Sequence, residues 1–361
     1  MHNYLNNITN ALFNNWLNKA FLFKTRLSIL AFVMVFIGKN SLAQNKNYFG
    51  NNLSISFNTQ SLSMLKNSDS LLNEKYNFRF SQFSIGYKHE LYSKINTKNN
   101  TLTFSQISVL PALQLGNASF GAPNLDRTLI NLRLSLLGIF HTSAKSTFLV
   151  TATTFANEDE YTLPDATLRY AGIFLYNRKV DNKFSYRAGA TFTYLFGEPL
   201  FLPVLGFRLQ TSKKSILNVN LPYSLNWKKQ TKIPTLFYGF SLRPNGGINQ
   251  YQNKLSVDTT NQTLMLRRRT VILTADIRLI NKKSTFLFQL GFNLNPRVQF
   301  TKQNTNEIVN NFKFNGSNSL FANITYIWFI GPDKRKTATN KNSDIQNITE
   351  DEVIENSWLD F

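Results

Sequence analysis

The segment Phe184–Phe196 reads FSYRAGATFTYLF, and the fold prediction starts from it. Its even positions carry aromatic residues or alanine, whereas its odd positions are small or polar until Leu195, with Arg187 among them. A side-chain period of two indicates a β-strand with one apolar and one polar face. These 13 residues exceed the usual strand of a soluble protein and match the length that a tilted strand needs to cross a lipid bilayer.

The same alternation recurs along most of the chain. Clear copies cover 217–227, 236–242 and 286–294, and weaker copies cover 53–57, 78–92, 102–115, 130–140, 168–176, 271–279 and 320–330. We therefore predict an all-β fold, an antiparallel transmembrane β-barrel of roughly 12 strands, with a range of about 10 to 14. Proline removes a ladder hydrogen-bond donor, so we expect Pro111, Pro203 and Pro222 each to mark a bulge or a strand end.

The start of the chain resembles a secretory signal peptide. Lys24 and Arg26 precede the apolar run 27–38, and Ser41-Leu42-Ala43 follows with small residues at the positions that a signal peptidase reads. We predict a cleaved signal peptide at 1–43, a barrel at 44–331 and a polar tail at 332–361 that forms either a short helix or no regular structure. An uncleaved amphipathic anchor is the alternative for the first segment. Export of a barrel predicts the outer membrane of a Gram-negative bacterium.

Composition excludes several kinds of chemistry. The chain has no cysteine, which rules out disulfides, thiolate metal sites and a cysteine nucleophile. After the predicted leader only His89 and His141 remain as histidines, so we expect no cofactor and no metal site. The acidic triplet Glu158–Glu160 lacks the spaced oxygen ligands of a calcium loop and is expected to be a solvated loop.

The formal net charge of +20 first suggests nucleic acid, but the basic residues do not cluster and the leader directs the protein to export. Six arginines lie within or at the end of predicted strands, on the face opposite the apolar row. A charge that faces lipid is costly, so the strand period places them in the lumen, where they are candidate contacts for anions. Bracing of a narrow or filled lumen by hydrogen bonds to amides and carbonyls is the other interpretation. The six are Arg133, Arg169, Arg187, Arg208, Arg243 and Arg278.

One pattern points towards catalysis. His141-Thr142-Ser143 places an imidazole and a hydroxyl two residues apart and resembles the His-x-Ser arrangement of outer-membrane phospholipases. The strand period puts this pair in the lumen, away from an acyl substrate, and a turn is the competing interpretation. We therefore predict no catalytic residue and no enzyme.

Three short segments resemble the central block of an uncharacterised family of outer-membrane β-barrel proteins of Gram-negative bacteria. They are Leu195-Phe196-Gly197-Glu198-Pro199, then Leu202-Pro203-Val204-Leu205-Gly206-Phe207, and Asn220-Leu221-Pro222. The resemblance covers about thirty residues, as counted in the sequence. It implies a barrel without an assigned activity and no site residue.

These observations predict a porin-like protein, a passive pore or transporter for small anionic solutes. A structural or surface barrel with a filled lumen is the alternative, and a membrane-embedded hydrolase is a third hypothesis. The expected partners are outer-membrane lipid, the barrel-assembly machinery and small anions, without nucleic acid.

Overall fold

The computed structural model describes residues 51–67, 75–98, 101–121, 125–143, 145–194, 198–252, 263–281, 283–302 and 308–330. The predicted signal peptide at 1–43 and the predicted tail at 332–361 lie outside these described residues.

The described chain forms fifteen β-strands and one short 3-10 helix, Leu163–Asp165. The first eight strands are β1 Asn51–Asn67, β2 Lys75–Lys98, β3 Thr101–Ser119, β4 Arg127–Ser143, β5 Ser146–Asp159, β6 Arg169–Lys179, β7 Phe184–Thr193 and β8 Leu200–Ser212. The others are β9 Ser215–Leu221, β10 Ser224–Gln230, β11 Leu236–Gln252, β12 Thr263–Ile280, β13 Ser284–Lys302, β14 Ile308–Gly316 and β15 Ser319–Ile330. Within the described ranges, no helix is long and apolar enough to cross a membrane.

The strands form one closed antiparallel ring, which confirms the predicted fold class. Neighbours in the sequence pair with each other, and the ring closes where β1 pairs with β15, from Asn51↔Ile330 to Gln60↔Phe321. Both β14 and β15 pair with β13 and with β1, so these two strands share one position. Fifteen strands therefore fill fourteen positions, at the upper limit of the predicted range and two above the central value.

One of the clear periodic segments is two strands rather than one. The interpretation of 217–227 as a single strand is wrong, because the chain reverses at Pro222 and Tyr223 between β9 and β10. The backbone N–H of Tyr223 donates to the carbonyl of Asn220 across 2.7 Å and closes this turn. The last ladder pair, Asn220↔Ser224, joins residues four apart, so even and odd positions keep their faces across the turn and periodicity alone does not detect it.

The connections alternate between the two ends of the barrel. At one end, the turn end, they comprise two to five residues: 99–100, 144–145, 180–183, 213–214, 231–235 and 281–283. At the other end, the loop end, they comprise five to ten residues: 68–74, 120–126, 160–168, 194–199, 253–262 and 303–307, with the tip 222–223 as the exception. Asn51 and Ile330 both lie at the turn end.

The three prolines differ from one another. Pro222 ends β9, as predicted. Pro111 lies inside β3, where the β2–β3 ladder passes from Gly86↔Ala112 to His89↔Val109 without the two intervening pairs. Pro203 lies inside β8, paired with Ala190 of β7 but beyond the end of the ladder to β9. Only Pro222 therefore marks a strand end, whereas Pro111 and Pro203 sit where one ladder is missing.

Over the part of the ring nearer the turn end, which we call the lower part, outward-facing side chains are apolar and inward-facing side chains are polar. Leu273, Phe286 and Trp328 are exposed on the outside, whereas Thr274, Gln289 and Asn323 are buried on the inside. Strands β1 to β5 and β11 to β14 continue further towards the loop end than β6 to β10, and their interior turns apolar there. We call this apolar cluster the loop-end plug. It consists of Leu65, Phe78, Phe80, Ala118, Phe120, Leu125, Leu129, Tyr251, Leu264, Leu266, Val298, Phe300 and Phe314.

Candidate functional site in the lumen

Two connected cavities fill the lumen below the loop-end plug. The lower cavity has about 1610 Å³ of empty space and the upper cavity about 1230 Å³, part of it open to solvent, and Ser56, Gln114, Arg243 and Asn323 are among the residues that line both. Asn, Ser, Thr and Gln side chains from the inward face of the strands line most of both. A polar interior of this kind is what the period-two pattern predicts for the inside of a barrel.

The lower cavity is lined by five cationic side chains. They are Lys88, Arg133, Lys228, Arg243 and Arg278, and the described lining residues of this cavity include no Asp or Glu. Such an imbalance raises the local concentration of anions.

The six predicted arginines have different environments. Arg133, Arg243 and Arg278 line the lower cavity. Arg187 donates from Nε to Oδ1 of Asn177 and from Nη1 to Oδ1 of Asn220, each across 3.3 Å. Arg208 is half-buried and pairs across the ladder with Asn218, which lines the lower cavity. Arg169 lies elsewhere, in a buried ion pair near the loop end.

A hydrogen-bond network holds one wall of the lumen. Gln289 on β13 donates to Oδ1 of Asp276 on β12 across 2.9 Å and accepts from Nδ2 of Asn323 across 2.8 Å. Thr274 donates to the same Asp276 oxygen across 2.6 Å, and Arg243 donates to Oε1 of Gln289 across 3.4 Å. The network fixes the wall while the guanidinium of Arg243 also lines both cavities. The hydrogen bond to Gln289 therefore does not remove Arg243 from the lining of the cavities.

Sequence reasoning missed three further lumen cations. Lys88 and Lys228 line the lower cavity, and Arg268 lines the upper one with its guanidinium 3.7 Å from the centre of the Phe80 ring. The alternation that placed the arginines in the lumen also places Lys88 and Lys228 there, because each lies two residues along its strand from another side chain that faces the lumen. Arg268 precedes the bulge between Arg269 and Val271, which shifts the register of β12 and hides the parity from the sequence.

Strands β5 and β11 meet directly near the loop end, at a contact that we call the β5–β11 seam. Glu158 of β5 pairs in parallel with Gln250 of β11. Nη1 of Arg169 lies 3.3 Å from Oε1 of Glu158, and both side chains are buried. Burial raises the pKa of Glu158 above its ordinary value, while Arg169 opposes this shift.

A second buried ion pair lies in the same seam. Nε of Arg127 is 3.6 Å from Oδ2 of Asp159, and the N–H of Gln252 donates to that oxygen across 2.8 Å. The expectation of a solvated acidic loop is therefore wrong for Glu158 and Asp159, both of which have no exposed surface. The sequence hides this because the basic partners of the two carboxylates are eleven and thirty-two residues away along the chain.

The strand ladder has a gap between β8 and β11. The β8–β9 ladder ends at Leu205↔Leu221, and the β10–β11 ladder ends at Leu225↔Leu242. On this side, Leu200–Val204 and Arg243–Gly247 have no strand partner among the described residues. We call this opening the β8–β11 gap, and the tip of the β9–β10 hairpin forms its floor.

The His141-Thr142-Ser143 pattern, for which no catalysis is predicted, falls at the turn end of β4. His141 pairs with Thr147 and Ser143 pairs with Ser146, with a register shift between them. Oγ of Ser143 accepts the N–H of Lys145 across 3.3 Å, which is a turn contact. The described residues contain no group of three or more His, Asp or Glu side chains placed to hold a metal ion.

Comparison with solved structures finds distant similarities. An outer membrane channel from Pseudomonas putida F1 is 11% identical, with a TM-score of 0.40, over 81% of this chain and 98% of that one. The Pseudomonas putida toluene transporter TodX is 10% identical, with a TM-score of 0.37, over 80% of this chain and 90% of that one. The translocator domain of the autotransporter NalP from Neisseria meningitidis is 8% identical, with a TM-score of 0.33, over 84% and 96%.

Among curated proteins, no sequence matches this chain. The family model described as a domain of unknown function, DUF6268, matches residues 40–328. This match confirms the expected relation to a family without an assigned activity, and the chain belongs to that family.

Proposed function

We propose that the protein is a β-barrel of the Gram-negative outer membrane that acts as a passive pore for small anionic solutes. Apolar side chains on the outside of the ring suit contact with lipid, and a closed ring satisfies the backbone hydrogen bonds that lipid cannot. By the usual arrangement of bacterial barrels, the turn end with Asn51 and Ile330 faces the periplasm, and the loop end faces outwards.

The observation that carries the solute class is the lining of the lower cavity. Five cations line it, and no acidic side chain does so among the described residues. Arginine rings of this kind select for anions in membrane pores.

The test is the ion selectivity of the full chain in planar lipid bilayers. We expect wild-type protein to give stepwise openings with a reversal potential that favours chloride over potassium in a salt gradient. Replacing both Arg243 and Arg278 by serine should move the reversal potential towards zero, because two of five cations are lost. Replacing both by lysine is the matched control, since it keeps the charge, and it should leave the reversal potential close to wild type. Equal reversal potentials in the serine variant and the wild type would remove the proposed anion preference.

A second candidate function has its own supporting observation. The loop-end plug closes the lumen at one end with apolar side chains, which favours a structural or surface barrel with a filled lumen. Absence of openings at every voltage, in protein whose folded band shifts on boiling, would support this candidate against the pore.

A further inference from the structure

The β8–β11 gap lies within the height that lipid covers. Strands β9 and β10 have seven residues each, whereas β11 has seventeen. Seven residues that rise about 3.3 Å each and tilt by about 40° gain about 18 Å of height. The apolar band of a membrane barrel is about 25 Å tall. The hairpin tip at Pro222 and Tyr223 therefore ends below the outer edge of that band.

The two strand edges beside the gap each carry a proline. Pro203 lies in the unpaired part of β8 and Pro244 in the unpaired part of β11. An unpaired backbone N–H in lipid costs several kcal/mol, and proline has none to leave unpaired. At these two positions, therefore, no backbone N–H is left unpaired.

The outer rim of the gap is apolar. Phe201 and Leu205 on β8 are 74% and 63% exposed, and Leu221 at the hairpin tip is 60% exposed. These side chains present hydrocarbon to whatever approaches the gap from the side.

Behind the gap lies the upper cavity. Tyr223, Ser224, Pro244 and Gly247 line it together with Arg243 and Arg268. The Nε of Arg268 is buried and has no hydrogen-bond partner among the described residues. A Cβ on Gly247 would meet only Nη2 of Arg268, at 3.7 Å, so this edge of the cavity is open space.

Tyr223 partly closes the passage from the inside. Its side chain is buried against Ile173, Leu175 and Val204, which lie on β6 and β8 beside the gap. It is the last inward-facing side chain at the tip of the hairpin formed by the two shortest strands, β9 and β10.

We propose that the β8–β11 gap is a lateral passage for amphipathic anions, which move through it between the lumen and the surrounding lipid. The apolar rim suits a hydrocarbon tail, and Arg243 with Arg268 suits a single anionic head group. The loop-end plug narrows the axial route on that side, which leaves the gap as the wider exit for a hydrocarbon tail. This inference rests on the proposed outer-membrane pore and adds an exit route and a solute class.

The experiment measures fluxes in vesicles that contain the full chain. Decyl sulfate is the amphipathic anion, and inorganic sulfate is its head group alone. Gly247→Trp fills the part of the upper cavity that adjoins the gap, and Asn226→Trp, in the lower cavity, is the matched control. We expect Gly247→Trp to reduce the decyl sulfate flux by about tenfold, as for a pocket that loses the space for a hydrocarbon tail. The sulfate flux of that variant should fall much less than its decyl sulfate flux, whereas Asn226→Trp should reduce both fluxes in equal measure.

The outcomes separate this inference from the pore itself. Wild-type protein that conducts sulfate but not decyl sulfate, or a Gly247→Trp variant that loses both fluxes in equal measure, overturns the lateral passage and leaves the pore standing. A folded wild-type protein that conducts neither anion overturns both.

A spin-label measurement covers the case in which Gly247→Trp does not fold. The chain has no cysteine, so a single nitroxide can be attached at Asn245→Cys, behind the gap, or at Asn226→Cys, in the lower cavity. We expect a higher ratio of oxygen to nickel-chelate collisions at position 245, because oxygen concentrates in lipid. Equal ratios at the two positions would contradict an opening towards the membrane.

Discussion

At the scale of single residues, the β5–β11 seam depends on charges that have left water. Glu158 and Asp159 are fully buried, and Arg169 and Arg127 are their partners. Removing one partner of such a pair leaves the other charge without compensation in a medium of low dielectric constant. Replacing one charged residue of a pair should therefore destabilise the protein much more than replacing both residues of the pair by neutral ones.

The first prediction concerns Arg169→Met. We expect the variant to lose about 3 to 5 kcal/mol of unfolding free energy at pH 8, because Glu158 becomes a buried charge without a partner. Loss of Arg169 raises the pKa of Glu158 further above its ordinary value of 4.5. The folded carboxyl then binds its proton more tightly than the unfolded one, so the deficit is absent below pH 4.5 and grows as the pH rises through the folded pKa.

Urea unfolding in lipid vesicles at pH 4 and pH 8, followed by tryptophan fluorescence, measures this deficit. The double variant Glu158→Gln with Arg169→Met is the control and should recover most of the loss at pH 8. A deficit of the same size at both pH values, or in both variants, would argue against charge burial as its cause.

The odd or even position of a residue in its strand predicted the direction of its side chain, but it did not predict which other side chain it contacts. The six arginines were placed inside by the period of their strands, and Arg133, Arg243 and Arg278 do line the lower cavity. Nothing in a local pattern pairs Glu158 with Arg169, because their contact follows from the loop 160–168 folding back. The anion contacts themselves stay a prediction.

At the scale of strands, neighbouring backbones of the ring approach each other closely at certain lumen-facing glycines. A Cβ at Gly291 of β13 would overlap the carbonyl oxygen of Leu273 on β12. The two backbones approach each other so closely there that no side chain fits. Strongly coiled sheets use glycine in this way.

The second prediction compares two glycines. Gly291→Ala should lower the unfolding free energy by about 1 to 3 kcal/mol, since two paired backbones must move apart. Gly247→Ala should leave it nearly unchanged, because the added Cβ meets its nearest neighbour at 3.7 Å. Urea midpoints of the two variants, each measured beside wild type in the same vesicles, give the comparison. Equal midpoints would show that the β12–β13 approach relaxes freely.

Strand existence was predictable from the sequence, but strand ends were not. The alternation in 217–227 continues across the β9–β10 turn with its parity unchanged, so the hairpin looked like one strand. The three segments of the family motif, 195–199, 202–207 and 220–222, are separate in the sequence. In the structure, the end of the β8–β9 ladder brings 202–207 and 220–222 together at the edge of the β8–β11 gap.

At the scale of the whole molecule, the plug decides whether the lumen opens towards the loop end. Its centre is aromatic: Phe300 lies 5.8 Å from Phe120 and 5.1 Å from Tyr251, measured between ring centres. Tyr251 also donates its hydroxyl to the carbonyl of Leu125 and so fixes the plug to the loop that follows β3.

The third prediction removes the centre of the plug. The double variant Phe120→Ala with Phe300→Ala should raise the single-channel conductance, because the two missing rings leave an opening above the upper cavity. Phe286→Ala is the control, since that ring faces outwards, and it should leave the conductance unchanged. Boiling should shift the band of each variant on a gel if the barrel is folded. Folded double variants with wild-type conductance would place the closure elsewhere.

The plug was not predictable from the sequence. Inward positions of β2, β12 and β13 change from polar to apolar part of the way along each strand, and bulges shift the parity of β1, β12 and β13 at the same height. Only the assembled ring shows that these apolar ends meet.

The pairing of β1 with β15 has a consequence for biogenesis. Asn51 of β1 pairs with Ile330 of β15, so one edge of β1 stays without its partner until the last described strand has been synthesised. Contacts so distant along a chain are slow to form. A product truncated before Ser319 would lack β15 and leave exposed the edges of β1 and β13 that pair with it, free to pair with strands of other copies. Delivery to the membrane must therefore keep the polypeptide loose until translation is finished.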